Sequence, residues 1–264
     1  YGMNLRAGPL MSLPEGPQLM GLLSHGVVEN LLRESRQWKP EAAKVRAKEI
    51  FDHLAPQMAA SLLQPGKELE LSRRRETVGR AVERLFELIR EANLEVIGFE
   101  QTYAKPLPSN QVFEGRLDLL LKSAEGTRLV WDLKWSGSSR YRKEELQGGR
   151  ALQLAAYAWL VSEGGSFDVP AGYFMLSQGE LFSVSCAGLP DYCQFRDVDL
   201  PSVWETGLRA YEKRIEELRA GAVSASGLLP KEEVDPSGDI LSLETPCRWC
   251  EFTSLCGWRP DPDG

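Results

Sequence analysis

Two runs decide how this chain reads: Gly115-Arg116-Leu117-Asp118-Leu119-Leu120-Leu121 and, after Ser123-Ala124-Glu125-Gly126-Thr127, Arg128-Leu129-Val130-Trp131-Asp132-Leu133-Lys134. Both are rich in Leu, Val and aromatic residues and are separated by turn formers, which predicts a hairpin of two strands. Each strand nevertheless carries charge among core residues: Asp118 in the first, Asp132 and Lys134 in the second. Such groups are almost never buried without partners, so the cluster should bind a cation, a phosphate or itself. Asp132 and Lys134 are two apart on a strand and share a face. Carboxylates suit Mg²⁺ or Mn²⁺, and a lysine beside them suits phosphodiester hydrolysis, where it orients the nucleophile or offsets developing charge. Taken alone, a D-x-K is more often a cross-strand salt bridge.

Upstream of the hairpin the apolar period is helical, in Leu19, Leu22, Leu23, Val27 and Leu31 and again in Val78, Val82, Leu85, Phe86 and Ile89. Three helices fit. Pro40 suits the first turn of the middle one, Pro56 kinks or ends it, and Pro65-Gly66 separates it from a helix over about Glu68–Asn93. Leu94–Tyr103 reads as a further strand. Downstream, a long helix is expected over about Lys143–Ser162, then a hairpin of Gly172–Leu176 and Leu181–Ser185, then a helix over Pro201–Ala220. This order predicts an α/β fold: a small mixed sheet flanked by helices, with a helical subregion before it and a Cys-rich tail after it. One domain is expected over 1–264, made of a helical part (1–93), a catalytic core (94–220) and the tail (221–264).

The 264 residues are 42% hydrophobic and 26% charged, which excludes disordered and low-complexity classes. No apolar run is long enough to span a bilayer and no signal peptide is evident, so a cytoplasmic protein without membrane contact is expected. The net charge of −7 argues against a uniformly nucleic-acid-binding surface. It is uneven: residues 115–150 are net +3 and residues 205–244 net −4, so a polyanion should meet the first stretch. All five cysteines lie beyond residue 185. Cys247, Cys250 and Cys256 have C-x₂-C-x₅-C spacing, which points to thiolate ligation of iron–sulfur or zinc.

These motifs, in this order, resemble the PD-(D/E)XK nuclease superfamily, and within it the RecB-like and AddB-like branch that carries a C-terminal iron–sulfur cysteine motif. Gly21-Leu22-Leu23-Ser24-His25-Gly26-Val27-Val28-Glu29 is similar to that branch's early helix motif, whose His is a metal ligand. Gly98-Phe99-Glu100 resembles its strand with a Glu near the site, and Gly115 to Asp118 its metal-binding Asp. Asp132-Leu133-Lys134 resembles its D/E-x-K, and Gln153-Leu154-Ala155-Ala156-Tyr157 its Q-x-x-x-Y.

The resemblance implies a metal-dependent DNase acting on single-stranded or opened ends in recombination or repair, beside a helicase module or partner. His25, Asp118 and Asp132 would hold Mg²⁺ or Mn²⁺, an imidazole favouring Mn²⁺. Lys134 would assist the reaction, and Glu100, Gln153 and Tyr157 would position substrate. By strand alternation Glu100 faces opposite to Phe99, toward either the site or solvent. Gln153 and Tyr157, one turn apart, can reach a nucleic-acid strand or support the lysine. The stretch from Trp135 to Lys143 is expected to be flexible, with Arg140, Arg142 and Lys143 meeting phosphates and Tyr141 stacking on bases, or else to be a solvated loop. His53 and Arg73 to Arg75 read as solvated helix surface. The cysteine trio would supply three of the four ligands of a [4Fe-4S] cluster. The fourth in that branch precedes the first helix, so the chain is expected to be a fragment beginning just after it, with an incomplete cluster. Cys186 and Cys193 are possible substitutes or plain free thiols. The alternative is a nuclease-fold module that binds DNA ends or protein partners and cuts weakly.

Overall fold

The computed structural model describes residues 16–163, 167–184, 186–222, 239–241 and 243. Tyr1, Cys247, Cys250 and Cys256 lie outside the described residues. Two compact units are distinguished: Pro14–Pro201, which contains the whole sheet, and one containing Ser202–Gly264.

Three helices open the first unit: α1 (Gly16–Glu34), α2 (Pro40–Met58) and α3 (Glu68–Glu91). Pro40 takes the first helical position of α2, where its missing N–H costs nothing, and Pro56 falls in the last turn, two residues before the helix stops. The sheet has six strands in sequence order: β1 (Glu95–Pro106), β2 (Val112–Lys122), β3 (Arg128–Lys134), β4 (Ala171–Met175), β5 (Glu180–Val184) and β6 (Gln194–Phe195). Pairs β1/β2, β2/β3 and β4/β5 are antiparallel, while β3/β4 and β5/β6 are parallel. The fold is thus the mixed, helix-flanked α/β sheet expected. The two-residue β6 is too short to leave a period-2 signal.

Leu119, Leu121, Leu129, Trp131 and Leu133 join the apolar core built by α1, α2 and α3. Alternation therefore puts Asp132 and Lys134 on the opposite face of β3.

The long helix expected at 143–162 is two helices, α4 (Arg140–Gln147) and α5 (Leu152–Val161). Gly148 and Gly149 separate them, and Gly149 sits at φ +61°, a conformation that stops a helix and favours glycine. The stretch from Trp135 to Lys143, expected to be flexible, is corrected at its end: residues 140–143 are the first turn of α4, while 135–139 are neither helix nor strand. In the second unit the main described element is α6 (Leu200–Arg219). Among the described residues no helix is long and apolar enough to cross a membrane.

Candidate active site

The site forms where the β2/β3 ladder stops. Pairing runs from Lys122↔Arg128 to Leu119↔Trp131 and goes no further. Val130 N–H and Lys134 C=O are bonded on the β4 side, so by alternation Leu133 turns its own N–H and C=O toward β2. With no strand partner there, each takes a side chain. Leu133 N–H donates to Asp118 Oδ2 at 2.7 Å, and Leu133 C=O lies 2.8 Å from His25 Nε2. One peptide residue, the central position of Asp132-Leu133-Lys134, thus pins an acid from β2 and an imidazole from α1.

With Nε2–H given to that carbonyl, Nδ1 is the nitrogen left for a ligand, the usual way a backbone acceptor fixes the tautomer of a metal-binding histidine. Nδ1 is 3.8 Å from Asp118 Oδ1 and 3.9 Å from Glu100 Oε1. One donor atom from each of His25, Glu100 and Asp118 falls within 4.8 Å of the others. An imidazole and two carboxylates at this spacing fit a hard or borderline divalent cation.

Glu100 turns inward through an irregularity that sequence cannot show. The β1 register slips between Val96 and Gly98, and Glu100 itself has φ +48°, in the left-handed region. For a residue with a Cβ this costs on the order of 1–3 kcal/mol, a strain that concentrates at functional sites.

Asp132 is taken up differently. It is 1% exposed; Gln153 Nε2 donates to its Oδ1 at 3.0 Å, and Lys134 Nζ lies 2.7 Å from Oδ2. The ammonium approaches off the line of a directed hydrogen bond, so that contact is an ion pair. Gln153 also donates to the Tyr157 hydroxyl at 3.0 Å. Gln153 and Tyr157 therefore support the acid rather than the lysine, and α5 can come close because Gly115 has no side chain. A Cβ there would lie 2.7 Å from Leu160 Cδ1 and 3.3 Å from Tyr157 Cε1.

Burial pushes the Asp118 carboxyl up, against the pull of His25, the Leu133 N–H and Lys134. Burial likewise pushes Asp132 up to about 6, opposed by Lys134 and reinforced by the Asp118 charge. Burial opposes the charged form of His25, but Glu100, Asp118, Leu133 and Asp132 outweigh it and raise its pKa. Glu100 is lowered, first by its contact with His25. The four groups thus shift one another's titration, as closely spaced donor groups do.

A sequence model of the PD-(D/E)XK nuclease superfamily matches residues 1–257. The chain belongs to the PD-(D/E)XK nuclease superfamily. No curated protein matches it significantly. It is similar to a solved structure described as "Crystal structure of SSO0001", at 14% identity over 89% of this chain and 94% of that one, with a TM-score of 0.30.

The remaining expected residues lie elsewhere. Arg140 pairs with Glu144 and Arg142 with Glu145, each at 2.6 Å, and Lys143 is 3.7 Å from Glu180 and stacks over Phe182. Glu144 and Glu145, four and three residues on from their arginines, support the helical form of this segment. Tyr141 is exposed. Cys186 and Cys193 are buried free thiols, and burial raises both, so neither is presented as a ligand. His53 touches Gln57 on an exposed face, Arg74 pairs with Glu70 and Arg75 with Asp52, all as surface residues do.

Sequence reading missed two contributors. The Leu133 backbone gives no sequence signal beyond its place inside D-x-K. Arg116, whose Nε is 2.7 Å from Glu100 Oε2, could have been found from its position two residues before Asp118 on one strand.

Proposed function

We propose that this chain is a divalent-metal-dependent nuclease that hydrolyses DNA phosphodiesters at single-stranded or opened ends. The observation that carries the reading is the convergence of His25, Glu100 and Asp118 on one point, with Asp132 and Lys134 beside it. His25 Nδ1 and the Glu100 and Asp118 carboxylates would hold Mg²⁺ or Mn²⁺, with Asp132 adjoining. The cation, when bound, would polarise the phosphate and lower the pKa of a water.

The protein's own groups do the rest. Leu133 fixes Asp118 and His25, so both present their free ligand atoms without reorganising. Gln153 orients Asp132, and Asp132 holds the Lys134 ammonium at the edge of the site. There Lys134, still 22% exposed, can meet a phosphate oxygen or the attacking oxygen and offset the charge that builds during displacement. Burial of Asp132 keeps water from competing for that ammonium.

Action on ends, a role in recombination or repair, and a helicase partner rest on the resemblance of the five motifs to the RecB-like and AddB-like branch. A thiolate-bound iron–sulfur or zinc group on Cys247, Cys250 and Cys256 rests on their spacing. The test is cleavage of end-labelled single- and double-stranded DNA with Mg²⁺, Mn²⁺ or EDTA. Cation-dependent loss of label from ends, absent in Asp118→Ala, is expected. Cleavage that persists in EDTA or in Asp118→Ala would overturn the assignment.

A further inference from the structure

We propose that Arg116 is a substrate-binding residue that grips a non-bridging phosphate oxygen of the strand held at the site. The inference rests on the nuclease reading and adds to it the group that receives the phosphate.

Three observations carry it. First, Glu100 has one oxygen on each side of a boundary: Oε1 faces His25 Nδ1 at 3.9 Å, and Oε2 is 2.7 Å from Arg116 Nε. The guanidinium is therefore held one carboxylate's width from the point where His25, Glu100 and Asp118 converge. A phosphate, whose oxygens are spaced much like those of a carboxylate, can touch that point and the guanidinium together. Second, Arg116 is 58% exposed, and its only contact at hydrogen-bond distance among the described residues is through Nε. Its NH2 stands 3.9 Å from Glu29 Oε1, and that oxygen is already engaged by Arg33 at 2.7 Å. The terminal nitrogens thus keep donors for a planar, two-point grip on an anion, which is the geometry that distinguishes arginine from lysine.

Third, the charge balance favours such a group beside Lys134. A phosphodiester approaching Glu100, Asp118 and Asp132 meets like charge. Lys134 answers Asp132 on one side of the site and Arg116 is the cation on the Glu100 side, whereas Arg140 and Arg142 pair with glutamates of α4. Arg116 is the exposed guanidinium bonded directly to the convergent set. The strained φ of Glu100 supports the same reading, since an ordinary strand conformation would turn the residue that joins the two halves of the arrangement away.

The experiment measures binding of a short fluorescein-labelled single-stranded oligonucleotide by anisotropy, in Ca²⁺ so that the strand stays uncut, across a salt series. Mn²⁺ affinity is measured by calorimetry without DNA. Arg116→Ala should weaken DNA binding about tenfold at saturating Ca²⁺, a loss of one charge-assisted phosphate contact. It should also reduce the slope of log affinity against log salt by about 0.7, one fewer single-strand phosphate neutralised. Mn²⁺ affinity should stay nearly constant. Arg116→Lys should keep the salt slope and recover part of the affinity. Wild-type DNA affinity in Arg116→Ala, or a loss that vanishes once the cation is saturating, would overturn the proposal; the second result would mean that Arg116 only orients Glu100. A wild-type protein that neither binds nor cuts DNA is a separate result, one that removes the nuclease reading and this inference with it.

Discussion

Asp132→Asn should stabilise the metal-free fold at alkaline pH while abolishing cleavage. Asp132 is 1% exposed, and burial moves its pKa from the ordinary 3.8 to about 6. A raised acid pKa means that the native state holds the proton more tightly than the unfolded chain does. The resulting stabilisation is complete below about pH 4 and disappears as pH rises through 6. A rise of that size is worth about 3 kcal/mol at 1.36 kcal/mol per pH unit. Asparagine cannot ionise, keeps an oxygen for the Gln153 amide and nearly conserves volume. The assay is urea unfolding of wild type and variant in EDTA at intervals from pH 4 to pH 8. The variant's stability relative to wild type should rise by about 3 kcal/mol across that range, most of it between pH 4 and 6. Cleavage, with Asp132 no longer holding Lys134, should fall about 100-fold or more. A stability difference that does not change with pH would refute the argument, because it would show that Asp132 is fully satisfied as an anion by Lys134 and Gln153.

Further outcomes follow from the same geometry. Lys134→Ala should cut the turnover rate about 100-fold with Mn²⁺ affinity intact, measured by calorimetry beside single-turnover cleavage. His25→Ala should lower Mn²⁺ affinity at least tenfold by the same titration, since Nδ1 is lost from the convergent set. Gly115→Ala should cost about 1–3 kcal/mol in urea unfolding, because the new methyl meets Leu160 and Tyr157 and pushes α5 off β2. Metal analysis of the purified chain should find no stoichiometric four-iron cluster, and any zinc it holds should disappear on joint replacement of Cys247, Cys250 and Cys256 by Ser, without loss of the Mn²⁺ site.

The hairpin was legible because two apolar runs, parted by turn formers, carry charges that a core would not tolerate, and β3 falls at Arg128–Lys134 as read. The first three helices were legible from their apolar period and their prolines. The break between α4 and α5 was written in Gly148-Gly149, but the apolar run of 151–161 masked it by suggesting continuity with the charged turn before it. Glu100 could not be oriented from sequence: a register slip two to four residues earlier and a left-handed backbone angle decide where it points, and neither leaves a residue signature. The roles of Gln153 and Tyr157 were half legible. Their shared helix face was plain from the four-residue spacing, whereas the partner they serve depends on where Gly115 lets α5 settle.

The departures from local rules are not scattered over the fold. A strand ladder ends early at Leu119↔Trp131, a glutamate adopts a glycine-like angle, an aspartate is buried against its preference for water, and a glycine occupies a strand interior. Each is unfavourable alone: unpaired backbone groups, strain, desolvation and lost strand propensity. Each is also answered at the same place. The unpaired Leu133 groups are satisfied by Asp118 and His25, which could not have been held so had the ladder continued. The strained Glu100 is held between His25 and Arg116, the buried Asp132 between Gln153 and Lys134, and the missing Gly115 side chain makes room for the helix that carries Gln153. A sheet selected for stability alone would have extended the ladder past Leu133 and filled position 115. In this sheet the irregularities are mutually dependent, so removing one exposes the cost of the next, and the His25, Glu100 and Asp118 donors they bring together are what a divalent cation would bind.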